Sequence, residues 1–180
     1  VEFMALQLQK LPQVTQDILK LAACIGNQFD LSTLAIVCRD SEVNTATNLW
    51  KALQEGLILP QSDLYKFYLG DCQQNKNSSQ IENISYRFLH DRVQQAAFCL
   101  IPEEQKQAVH HQIGKLLLRS ISPEGLKDRI FQLTNQLNHG IYIINQQTER
   151  DELAQLNLNA CRRAKSTIAY QAGLKYCKIG

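Results

Sequence analysis

The 180-residue chain has no glycine-rich loop of the form G-x-x-x-x-G-K-[ST], and no apolar strand ending in acidic residues that could hold Mg²⁺. No catalytic residues and no enzymatic activity are therefore expected of this stretch, which should bind no nucleotide by itself. No apolar run approaches the ~20 residues of a membrane helix. The opening Val1-Glu2-Phe3-Met4 lacks the basic start and long apolar stretch of a signal peptide. Neither C-x-x-C nor H-E-x-x-H spacing occurs, so no metal site is expected. Charge of one sign is also missing: the net value is +2, too small to imply an acidic partner by bulk attraction. The charge is unevenly spread, however. Residues 13–90 carry six Lys/Arg against eight Asp/Glu, and the last sixty carry eight against five.

Hydrophobic residues make up 44% of the chain and charged residues 20%, enough to bury a core in one domain or two small ones. The six cysteines, at 24, 38, 72, 99, 161 and 177, fall mostly in apolar helical patterns. There a free thiol behaves as a small hydrophobe, and reduced cysteines in a cytoplasmic protein are expected. The chain begins without Met and stops at Lys178-Ile179-Gly180 inside a helical pattern. A domain cut from a longer protein is expected.

Helical spacing organises the first third. Ile18, Leu21, Ala22 and Ile25 share a face, and Gly26-Asn27 ends that helix. Asp30 can cap a second helix with Leu31, Leu34, Ala35 and Cys38 inside. A third presents Val43, Ala46, Trp50 and Leu53, with Trp50 expected to be packed, and stops at Gly56. The period then changes. Residues 57–60, 65–69 and 84–90 read as strands, and 70–83 as a polar loop. Three helices followed by a small β-hairpin is the order of a winged helix.

Everything after His90 reads as helix. Asp91 can cap a helix running to Leu100, with Gln94 completing the start signal. Pro102-Glu103-Glu104 opens the next, which buries Val109, Ile113, Leu116 and Leu117. Another follows Pro123 and shows Ile130, Leu133, Leu137, Ile141 and Ile144; Gly140 inside it hints at close packing. A final pair covers 149–165 and 167–179, with Ala160, Ala164, Ala169, Ala172 and Tyr176 at helical intervals, as in stacked helical hairpins. The expected fold is mainly α. A winged-helix domain at 1–101 precedes a tetratricopeptide-like array of antiparallel hairpins at 102–180, truncated at its C-terminus.

The stretch Phe88-Leu89-His90-Asp91, leading into Val93, Ala96 and Ala97, puts an imidazole where a strand hands over to a helix. Imidazole titrates near neutral pH, and a phosphate neighbour favours its protonated, donating form. Two readings stay open: His90 as a phosphate sensor, or as a surface residue at a strand end. Asp91 reads mainly as a helix cap.

Several stretches carry a resemblance: LKLAACIGNQFDLSTLAIV, LWKALQEGLILP, ISYRFLHDRVQQAAFCLIPEEQKQ, RIFQLTNQLNHG and ERDELAQLNLNACRRAKSTIAY. Together they cover most of the chain, FLHDRVQQAA and NQLNHG being the more specific. The chain resembles the segment after the nucleotide-binding domain of large bacterial signalling proteins. Those proteins join a serine/threonine kinase-like domain, a signal-transduction (STAND) ATPase, a GAF sensor and a histidine kinase of two-component systems. Leu89-His90-Asp91 is similar to the Met-His-Asp motif that ends the winged helix of plant disease-resistance ATPases, with Leu in place of Met. The resemblance implies that His90 donates a hydrogen bond to the terminal phosphate of ADP held by the adjacent nucleotide-binding domain. ATP and ADP would belong to that parent domain, with no cofactor in this segment. The helical array would relay the signal to a protein partner.

Other features offer less. DNA binding is not expected, because the third helix (residues 42–55) carries Lys51 alone against Glu42 and Glu55, and the hairpin has Lys66 and Lys76 against Asp63, Asp71 and Glu82. His110 and His111 read as solvated rather than as a phospho-acceptor, and His139 beside Gly140 as facing solvent or capping a carbonyl. Arg162, Arg163 and Lys165 form a short basic patch, either an exposed helix face or a docking point for an acidic partner surface. The alternative to a nucleotide switch is a plain protein-interaction module.

Overall fold

The computed structural model describes residues 2–61 and 84–180. The expected strand at 65–69, the loop at 70–83 and the hairpin charges at 63, 66, 71, 76 and 82 lie outside the described residues. The chain divides into two compact units, Val1–Pro102 and Glu103–Gly180. Together they are mainly helical with one small three-stranded sheet.

The first unit contains α1 (Glu2–Gln9), α2 (Gln13–Ile25), β1 (Gln28–Asp30), α3 (Leu31–Cys38), α4 (Glu42–Gln54), β2 (Ile58–Pro60), β3 (Ser85–Phe88) and α5 (Asp91–Cys99). α1 and β1 carried no periodic signal of their own. The sheet is antiparallel in the order β1-β3-β2, with Phe29 opposite Tyr86 and Ile58 opposite Phe88. Alternation along β3 turns Tyr86 and Phe88 inward and leaves Arg87 exposed. Both rings lie beside Phe29, at centroid distances of 5.9 and 5.6 Å. The core around them includes Leu8, Leu19, Leu31, Leu34, Leu49, Ile58, Val93 and Ala97.

Local chemistry sets the helix starts. Asp30 Oδ1 accepts from Thr33 N at 2.7 Å and from Ser32 Oγ at 2.6 Å, while Oδ2 accepts from Thr33 Oγ1 at 2.7 Å. The expected cap of α3 is thus made by both carboxylate oxygens. Ser41 caps α4 through Asn44 N at 3.1 Å. α4 buries Thr45, Ala46, Leu49 and Ala52, whereas Val43 is 55% and Trp50 40% exposed. This corrects the expected packing of Trp50. Two stripes of similar spacing run along this helix, and the one with small residues lies inward, where Thr15 Oγ1 of α2 donates to Asn48 O at 2.8 Å.

The second unit contains α6 (Glu103–Ser120), α7 (Pro123–His139), a 3₁₀ turn (Ile141–Ile143), α8 (Gln147–Ser166) and α9 (Tyr170–Ile179). Ser122 caps α7 through Gly125 N at 3.2 Å. α7 ends at His139, so Gly140 is its C-terminal cap and not an interior residue, and Ile141 and Ile144 fall beyond the helix. The close packing at Gly140 is present. A Cβ there would stand 2.6 Å from His111 Cβ and 3.0 Å from Gln107 O. A Cβ on Gly114 would likewise stand 2.5 Å from Leu137 Cδ2. Asn138 and Asn157 join α7 to α8 by a reciprocal amide pair, each bond 2.9 Å. Of the alanines expected at the final hairpin, Ala160 and Ala164 are buried while Ala169 and Ala172 are exposed.

Candidate functional site

His90 stands where β3 gives way to α5. The strand end is tied on both sides: Phe88 N donates to Asn27 O and Leu89 N to Leu57 O, each at 3.0 Å. Phe88 is sealed in the core at 1% exposure, Leu89 is 37% exposed, and His90 is exposed. His90 has extended backbone (φ −144°, ψ 152°), and its carbonyl accepts the first α5 bonds, from Val93 N at 2.9 Å and Gln94 N at 3.4 Å. Its backbone is therefore held on both sides while its side chain makes no capping bond.

Those angles correct the expected cap by one residue. His90 occupies the cap position, and Asp91 is the first helical residue, its carboxylate in the turn where the helix dipole favours negative charge. Gln94 does not reach back to the cap. Its Nε2 donates to Ala23 O at 3.1 Å and ties α5 to α2. Two cations missed in the sequence accompany His90: Arg87 and Arg92 are exposed, before and after it. The signal for both was available, since Arg87 alternates with the inward Tyr86 and Phe88, and Arg92 lies off the buried Val93, Ala96 and Ala97 stripe. His90 at the cap and Arg92 in the first turn of α5 put an imidazole and a guanidinium at a helix N-terminus, which suits an anion, and Asp91 opposes them with one negative charge.

Of the remaining histidines His139 is exposed, whereas His110 is buried and His111 half-buried, against the expectation for those two. His110 is 7% exposed, its Nδ1 lies 2.7 Å from Gln136 Oε1, and its ring stacks on His139 with centroids 4.7 Å apart. Burial, then the neighbouring charges of His110 and Lys175, hold His139 below the usual imidazole range. His111 Nε2 lies 3.5 Å from Glu149 Oε2, and Lys115 binds the other carboxylate oxygen. The Lys115 hydrogen bond leads in holding Glu149 below the usual carboxylate value; burial opposes it, and the charges of Lys115 and His111 add to it. Among the described residues, no group of three or more His, Cys, Asp and Glu side chains is placed to hold a metal ion.

Arg162, Arg163 and Lys165 are exposed near the end of α8. Arg163 Nη2 lies 3.5 Å from Asp128 Oδ1 on α7, so part of the patch already faces an acid of its own unit. Among the described residues, no helix is long and apolar enough to cross a membrane.

The chain is similar to a known protein. That protein is Hybrid signal transduction histidine kinase G of Dictyostelium discoideum, 30% identical over 211 aligned positions that cover 99% of the chain. The chain spans only 6% of the relative's length. No family model matches the chain, and no solved structure does.

Proposed function

We propose that the first unit is a winged helix that closes on the nucleotide-binding domain of a STAND-type ATPase within a cytoplasmic sensor kinase. His90 then donates a hydrogen bond to the terminal phosphate of ADP. The observation that carries this reading is an exposed imidazole on a backbone held between a buried aromatic and a helix start. The sheet order supports it, because β1, between α2 and α3, pairs with the returning strand β3. Arg92 adds a second donor near the same junction. ADP bridging the two domains holds a closed state, and ATP biases an open one. The segment is non-catalytic, and its first partner is the adjacent nucleotide-binding domain.

The outer face of α4 favours a protein neighbour over DNA. Val43 and Trp50 are exposed there, and Lys51 lies 3.4 Å from Glu55, leaving little charge for phosphates. The second unit reads as a tetratricopeptide-like array that relays the signal. Ile168, Tyr170 and Leu174, all more than half exposed on its last hairpin, favour the runner-up reading of a plain interaction module.

The test is His90→Ala in the full-length parent. A charge-assisted hydrogen bond contributes roughly 1.5–3 kcal/mol, so ADP should be held about tenfold or more weakly, with signalling in the absence of stimulus. Thermal stability should be unchanged. Unchanged ADP affinity removes the switch and leaves the interaction module.

A further inference from the structure

Helices α8 and α9 form an antiparallel hairpin in which small residues let the backbones approach. A Cβ on Gly173 would lie 3.6 Å from Ala164 Cβ and 3.6 Å from Cys161 O. At the far end, a Cβ on Gly180 would stand 2.7 Å from Asn157 Cβ. Between these two contacts, in the same register, Cys161 Sγ and Cys177 Sγ lie 2.6 Å apart. That is about 0.6 Å from the length of a disulfide bond, so little movement separates the dithiol from the bonded form. Cys161 is half-buried and Cys177 exposed. Both belong to one hairpin, sixteen positions apart in sequence.

We propose that Cys161 and Cys177 are a reversible redox modification site, oxidised to a disulfide within the hairpin by a low-molecular-weight disulfide such as oxidised glutathione. The exposed Cys177 thiolate attacks one sulfur of oxidised glutathione, forms a mixed disulfide and releases one glutathione thiolate. Cys161 then loses its proton and attacks Cys177 Sγ, and the second glutathione leaves. The two protein thiols give up two electrons and two protons, and one glutathione disulfide becomes two glutathione thiols. In the dithiol, Cys161 is held above the ordinary thiol range first by its hydrogen bond with Cys177, then by burial and the charge of Cys177. Lys165 and Arg162 pull the other way. The mixed disulfide removes the Cys177 thiol and leaves those two cations, which favour the resolving thiolate. The bond latches α9, a helix of ten residues, onto α8. In a reducing compartment such a bond is transient, as a sensor requires.

The test equilibrates the chain with glutathione buffers from fully reduced to fully oxidised, quenches by alkylation and maps peptides by mass spectrometry. The expected result is loss of the two thiols together, recovery of a Cys161–Cys177 linked peptide, and full reversal by excess glutathione. Amide exchange within Tyr170–Ile179 should slow about tenfold or more in the oxidised form. Cys161→Ser should stop at a stable glutathione adduct on Cys177, and Cys177→Ser should leave Cys161 unlinked; far-UV circular dichroism verifies that both variants fold. Alkylation of both thiols in the most oxidising buffer overturns the proposal. So does linkage of either cysteine mainly to another partner, or unchanged exchange in α9 after the linked peptide has formed.

Discussion

The two units solve the problem of a small core in different ways. Val1–Pro102 relies on bulk: Phe29, Tyr86, Phe88, Leu31, Leu34, Leu49 and Ile58 are each no more than 3% exposed and form one cluster. Glu103–Gly180 relies on close approach and on buried polar pairs. Gly114 and Gly140 sit where a side chain would collide with a neighbouring helix, and His110, Gln136 and Asn157 are buried with hydrogen-bond partners. Apolar burial is non-directional, so the first unit gains stability from volume. Amide and imidazole pairs are directional, so the second gains a defined register from them, at the risk of a large cost if a partner is lost.

If that contrast is real, the units should fail to different insults. Phe88→Ala should cost about 3–5 kcal/mol, because the ring leaves a cavity beneath Phe29 and Ile58. Trp50 is the single tryptophan, so its fluorescence follows denaturation of the first unit alone. Amide exchange in Glu103–Gly180 should hardly change. Gly140→Ala should cost about 2–3 kcal/mol in the second unit, since the added carbon meets His111 Cβ and the Gln107 carbonyl, and backbone cannot yield as a side chain can. Exchange in α6 and α7 reports it. A Gly140→Ala protein as stable as the parent would refute the close-approach account.

How far each unit could be read from sequence follows the same division. The first was legible where signals are local: the Asp30 cap and the stop at Gly26 need only neighbouring residues. Trp50 was not legible, because Val43, Ala46, Trp50, Leu53 and Thr45, Ala46, Leu49, Ala52 are both helical stripes, and only tertiary contact chooses between them. In the second unit Ile141 and Ile144 continue the period of α7, and that period masks the stop signal of Gly140 directly after His139. The burial of His110 depends on Gln136, twenty-six positions away. His90 was legible as a junction residue, but its exposure was not: alternation would put it on the face of Tyr86 and Phe88, and it is exposed because the strand ends at Phe88. The cap position was misplaced because His90 and Asp91 both fit the local pattern, and the backbone angles separate them.

A smaller effect sharpens the contrast within the first unit. Asp30→Ala removes three hydrogen bonds at the start of α3 and should cost about 1–2 kcal/mol. Asp30→Asn keeps an acceptor for Thr33 N and should recover most of that. The midpoint of the Trp50 transition in urea measures both. Equal losses for the two variants would show that charge, not the cap bond, sets the stability of this turn.

The weakest expected effect separates the units by pH. His139 has its folded pKa below the ordinary imidazole value, so the unfolded chain takes up a proton first as pH falls. Stability from this group is fully present above about pH 6.5 and is lost as pH falls below that towards the folded value. Glu149, also lowered, acts in a more acid window, its contribution lost only as pH falls through the carboxylate range. His139 is exposed overall, and only its stacked face is covered, so solvent screening should limit its share to about 0.5 kcal/mol or less. Between pH 7.5 and 5.5 the second unit should therefore lose a little stability, and His139→Asn should flatten that slope. Amide exchange measured at matched intrinsic rates resolves a change of this size. A slope that survives His139→Asn would place the titrating group elsewhere and leave the stacked imidazole pair with a packing role only.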